Sequence, residues 1–155
     1  IMRRRPRPSS DQLDLLAFTS PVQAFEPARV RGATLSATLA KAISAALKAC
    51  GKSREQVAHD LGEYLGDPLE KSTLDKWASE ANEGYLPTIV RFIGLIHATK
   101  SRALLQVIAD HFGWAVIDKK YLPAIEYAAL SARKEELDRH LAAMKRDLRG
   151  AGVIE

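Results

Sequence analysis

Cysteine is nearly absent from this chain: Cys50 stands alone among 155 residues. It has no partner for an internal disulfide, so nothing calls for an oxidising compartment. Next to Gly51, at the end of an apolar periodic run, it reads as a buried structural thiol rather than a nucleophile. Paired-Cys motifs, a Gly-rich phosphate loop and a Gly-x-Ser-x-Gly elbow are missing from the sequence. The four histidines, His59, His97, His111 and His140, fall on separate predicted helices without a second ligand at metal-binding spacing. No catalytic residue, metal or cofactor is therefore expected, and the chain reads as a binding protein rather than an enzyme. No run approaches the ~20 apolar residues of a membrane span. The basic start is followed by no apolar signal core, which leads to the expectation of a cytoplasmic protein with no membrane partner.

Net charge is +4, and its placement matters more than its total. Residues 1–32 carry six Lys/Arg against three Asp/Glu, residues 33–113 nine against nine, and residues 114–155 eight against seven. Arg3, Arg4, Arg5 and Arg7, interleaved with Pro6 and Pro8, make an arm too polar and proline-rich to pack. Arginines on such an arm suit phosphate or groove contact, because neutralising phosphates releases their counterions. The balanced middle segment is unusual for a DNA-binding domain, which is ordinarily basic.

Prolines at 6, 8, 21 and 27 exclude one regular element before Gly32, so residues 1–33 are read as an extended arm. From Thr34 the pattern becomes helical: Leu35, Leu39, Ile43 and Leu47 recur every four residues until Gly51 ends the first helix. Ser53 and Gln56 form a capping-box signature for a second helix with Val57, Ala58, Leu61 and Leu65 on its buried face. Gly66-Asp67-Pro68 must break it. A third helix is expected from Ser72 or Thr73, burying Leu74, Trp77 and Ala78 and fading at residues 82–84. The fourth opens with Pro87 in its first turn and carries Ile89, Val90, Phe92, Ile93 and Ile96. The fifth runs from a Ser101 cap through Leu104, Leu105, Ile108 and Phe112 to Gly113, followed by a short apolar connector over 114–117. The expected core includes Leu39, Ile43, Val57, Leu61, Leu74, Trp77, Ile93 and Ile108.

Nothing breaks a helix between Pro123 and Arg149. Tyr127, Leu130, Lys134, Leu137, Leu141, Met144 and Leu148 fall on alternating three- and four-residue steps, the a and d positions of about three heptads. So narrow a seam on so long a helix predicts self-association through Leu130, Leu137, Leu141, Met144 and Leu148. A homodimer is expected, with a tetramer the lesser alternative. The fold class is thus all-α: a basic arm (1–33), a five-helix domain (34–117) and a coiled-coil-like oligomerisation helix (118–155).

The second and third helices resemble the helix-turn-helix of phage-type repressors and of the CII-like activators. Ala58 and Gly62 match its first element, and Leu74 and Trp77 its second, over a resemblance covering residues 34–113. The stretch from Gly62 to Leu74 is longer than the family's, which puts an extra turn and a longer connection between the two helices. The resemblance implies binding to double-stranded DNA by a transcriptional regulator of the phage or prophage type. The third helix would then enter the major groove. Lys71, Ser72, Thr73 and Lys76, off the Leu74–Trp77 face, are its candidate contacts, with Asp75 reading cytosine or repelling non-cognate DNA. Lys52 and Arg54 are candidate phosphate anchors at the start of the second helix. Separately, Gln12-Leu13-Asp14-Leu15-Leu16 resembles the short motif by which bacterial DNA-metabolism proteins dock on the replication sliding clamp. Gln12 would bond the pocket rim while Leu13, Leu15 and Leu16 supply apolar contact. Two other functions therefore stand beside the regulator: a replication accessory protein recruited to the clamp, and a protein-interaction adaptor that never touches DNA.

Overall fold

The computed structural model describes residues 20–82 and 84–154. It divides into two units, one ending at Val116 and one beginning at Ile117. Among the described residues all regular structure is helical. None of these helices is long and apolar enough to cross a membrane.

In the first unit the local signals set most of the boundaries. Thr34 caps α2 (Leu35–Ala49), its hydroxyl accepting the Ala37 N–H at 3.1 Å. Gly51 follows with φ +71°, a left-handed turn that favours glycine. Ser53 and Gln56 make both bonds of the capping box on α3 (Arg54–Leu65), which stops at left-handed Gly66. The short α4 (Lys71–Trp77) begins at Lys71, earlier than expected, and ends well before residue 82.

Pro87 does not open the next helix. Thr88 caps α5 (Ile89–Thr99) by taking the Arg91 N–H at 3.4 Å, so Pro87 lies before the cap. Ser101 precedes α6 (Arg102–Asp110) but forms no side-chain cap. That helix ends short of Gly113, leaving Phe112 exposed. The end of the expected arm is also structured: α1 (Pro27–Val30) buries Val30, and Phe25 packs on the same core. The arm reading thus does not extend to residues 25–30.

The core joins Ile43, Ala46 and Leu47 of α2, Val57, Ala58 and Leu61 of α3, Leu74 and Trp77 of α4, Phe92 and Leu95 of α5, and Leu104 and Val107 of α6. α3 lies chiefly on α5, while α2 meets α1, α4 and α6. Two expected core residues, Leu39 and Ile108, are only half-buried, and Ile93 is 51% exposed. α5 is apolar on nearly every side, and close approach decides which side goes in. A Cβ at Gly94 would sit 3.1 Å from Leu65 and 3.2 Å from Leu61, so the glycine face meets α3 and Ile89, Val90 and Ile93 turn outward. Cys50 is half-buried rather than buried, and its thiol donates to the Leu47 carbonyl at 3.2 Å.

The connector after α6 is irregular, and its order comes from one buried amide. Gln106 donates through Nε2 to the Trp114 carbonyl at 3.1 Å and accepts the Val116 N–H at 2.7 Å. It also donates to Asp110.

The second unit is a 3₁₀ turn (Lys119–Tyr121) leading into α7 (Leu122–Gly150), 29 residues with none buried. Every apolar seam position is exposed, from Tyr127 at 74% to Leu148 at 39%.

Candidate nucleic-acid interface

α3 and α4 meet because Gly62 leaves room for the connection to turn back over α3. A Cβ on Gly62 would lie 3.2 Å from both the Asp67 carbonyl oxygen and the Leu69 nitrogen. Pro68 would be equally crowded, its Cα at 3.3 Å. The longer connection thus folds over α3 at its glycine. The Asp67 N–H bonds the Gly62 carbonyl at 3.1 Å, and α4 is delivered across the N-terminal half of α3. Leu74 and Trp77 fill the core, at 0% and 3% exposure. Lys71, Ser72 and Lys76 are left on the surface, with Thr73 and Asp75 half-buried.

The cations of this face are engaged by carboxylates. Arg54 pairs with Asp75, joining the first turn of α3 to the middle of α4. Lys71 pairs with Glu55 at 2.8 Å, a second link between the same helices. Lys71 donates a hydrogen bond to Glu55, whose own backbone N–H and the Ser53 side chain also favour the anion. Together they hold the Glu55 carboxyl at about 2, well below its ordinary 4.5. The same Glu55 bond raises Lys71 above its usual value. The Ser72 hydroxyl donates to Glu70 at 3.3 Å, and Lys76 lies over the Tyr85 ring, 5.2 Å from its centroid. The start of α3 is neutralised as well, its capping N–H taken by Ser53 and its first turn carrying Glu55.

One grouping made from sequence comes apart. Lys52 does not stand beside Arg54 on the α4 side. Its ammonium donates to Asp60 at 2.7 Å and to the Ala98 carbonyl at 3.2 Å, bolting the entry of α3 to the end of α5. The Lys52 bond holds Asp60 below its ordinary range. Lys52 therefore ties the entry of α3 to the end of α5. Arg54, Lys71, Ser72, Thr73 and Lys76 do lie together on α3–α4. Arg3, Arg4 and Arg5, and the motif residues Gln12, Leu13, Leu15 and Leu16, fall outside the described residues.

His97 stacks on Tyr64 with ring centroids 3.9 Å apart. Among the described residues no group of three or more His, Cys, Asp or Glu is placed to hold a metal ion. Comparison with protein-family models, curated proteins and solved structures gave no match.

Proposed function

We propose that this chain is a sequence-specific DNA-binding protein of the helix-turn-helix class, a transcriptional regulator of the phage or prophage type. In this reading α4 enters the major groove. Ser72 and Thr73 reach base edges, and Arg54, Lys71 and Lys76 exchange their present partners for phosphates or guanine edges. The observation that carries it is the α3–α4 pair. Gly62 on α3 lets the connection fold back closely, and Leu74 and Trp77 anchor α4 in the core, so the polar face of α4 stands outward beside Arg54. The neutralising carboxylates favour one competing reading, a protein-interaction adaptor, because phosphate attraction is weakest where cations are already paired.

Selecting bound fragments from a random DNA pool with the full chain separates the two. Recovery of one sequence family supports the regulator, and no enrichment at low salt leaves the adaptor. On the selected DNA, Lys71→Ala should weaken all sequences and reduce the salt slope by about one unit, while Thr73→Ala should relax sequence preference. If Lys71, Thr73 and Lys76 can all be replaced by alanine with affinity unchanged, α4 is not the reading helix.

A further inference from the structure

α7 is long, unburied and charged on every face but one, and its charge pattern selects a partner. With Tyr127, Lys134, Leu141 and Leu148 at a, and Leu130, Leu137 and Met144 at d, the seam is flanked by Glu126, Arg133, His140 and Asp147 at g. Ser131, Asp138 and Lys145 occupy e. The partner that fits is a second copy of this chain, because an apolar stripe two residues wide over about 32 Å of helix, from Tyr127 to Leu148, matches a facing stripe of the same kind.

Orientation follows from the seam. In a parallel pair each a residue meets its own copy, so two Lys134 ammonium groups face each other between apolar layers. At the edges Arg133 would meet Asp138, and His140 would meet Lys145. In an antiparallel pair a residues face d residues. Lys134 then opposes Met144, Leu141 opposes Leu137, and Leu148 opposes Leu130, so every leucine of the seam is covered in both copies. At the edge Arg133 meets Asp147 twice, and Ser131 meets Lys145. The one like-charged contact is Asp138 with its own copy, at a solvated edge where salt screens it. Each orientation offers two Arg–Asp pairs, so the seam lysine decides. A like-charged pair between apolar layers is costlier than one in water. We infer that α7 forms an antiparallel two-stranded coiled coil with a second copy of the chain, Lys134 packing against Met144 and Arg133 pairing with Asp147. Arg133 now bonds Glu136 on its own helix at 3.2 Å, an exposed contact that can exchange for the intermolecular one. The inference stands independently of the DNA-binding reading.

Charge exchange tests it in the full chain, followed by sedimentation equilibrium. Arg133→Asp should weaken the dimer about five- to tenfold, the scale of two surface pairs turned from attractive to repulsive. Adding Asp147→Arg should restore it, and adding Asp138→Arg should not. Rescue by Asp138→Arg instead means a parallel pair and overturns the orientation. Rescue by neither means another seam, and an unmodified chain that stays monomeric at tens of micromolar removes the interface altogether. A second measurement does not depend on those variants. With Cys50 replaced by serine, His140→Cys should cross-link to its own copy, since position 140 faces 140 only in this register. A failure to cross-link in a sample shown to be dimeric overturns the register.

Discussion

The carboxylates on the α3–α4 face can be removed one at a time, and their removal gives the most direct reading of how the surface works. In Glu55→Gln with Asp75→Asn, the shapes are kept while Lys71 and Arg54 lose their partners. On random-sequence DNA, where the parent keeps both carboxylate pairs, each cation freed to neutralise a phosphate steepens the dependence of log K on log salt by about 0.9, so two steepen it by about 1.8. Between 50 and 200 mM salt, about 0.6 of a decade, that difference corresponds to about tenfold. The double variant should therefore bind random-sequence DNA more tightly than the parent at low salt and lose about tenfold more affinity over that range. It should also discriminate less between selected and random sequences. Fluorescence anisotropy titrations at four salt concentrations measure all three quantities. A variant that binds random-sequence DNA with the parent's slope would refute the reasoning, because Lys71 and Arg54 would then lie away from the phosphates. The chemistry of the exchange is favourable, since both pairs are partly solvated and such pairs hold weakly.

Two further outcomes test the fold beneath that face. Trp77→Ala should cost roughly 3–5 kcal/mol in urea denaturation, because the indole is 3% exposed within the core, and a loss below about 1 kcal/mol would contradict its burial. The Glu55 carboxyl is held at about 2 against an ordinary 4.5, so its ion pair stabilises the fold above the higher value. That stability is lost as pH falls toward the lower one. The stability difference between parent and Glu55→Gln should accordingly be constant from neutral pH to about 5 and shrink below 4.5, and urea midpoints at pH 5 and pH 2.5 would expose a difference that fails to shrink.

What the sequence made legible was local. The Ser53–Gln56 capping box, the Thr34 cap and the glycines at 51 and 66 act within a turn of the chain, and each sets a helix end where its chemistry places it. The inward face of α5 was not legible. A helix with Ile89, Val90, Phe92, Ile93, Leu95 and Ile96 has no polar side to point outward, and the choice rests on how closely α3 approaches Gly94. The fourth helix was started two residues early for a related reason: Pro87 and Thr88 both signal an N-terminus, and only the backbone shows that the threonine takes the cap. The pairing of the interface cations was not legible, because each partner lies far along the chain. Asp75 is 21 positions from Arg54, and the Ala98 carbonyl is 46 from Lys52. Lys52 and Arg54 look alike in sequence, but long-range packing gives one a structural tie and the other a place on the face. Gln106 gave no signal at all, since a single glutamine in an amphipathic helix looks like a surface residue.

The paired cations also bear on how a DNA reader of this kind would distribute itself over a genome. Attraction to phosphate is the same at every site, and a cell offers on the order of 10⁶ or more wrong sites for each right one. A strongly basic face would be titrated by that excess. A face whose arginine and lysine already rest on Asp75 and Glu55 gains little by exchanging a carboxylate for an arbitrary phosphate, and gains only where base edges add contacts of their own. In such a reader the carboxylates would lower residence on random sequence more than on the target, and occupancy at the target would survive at a lower copy number of the protein.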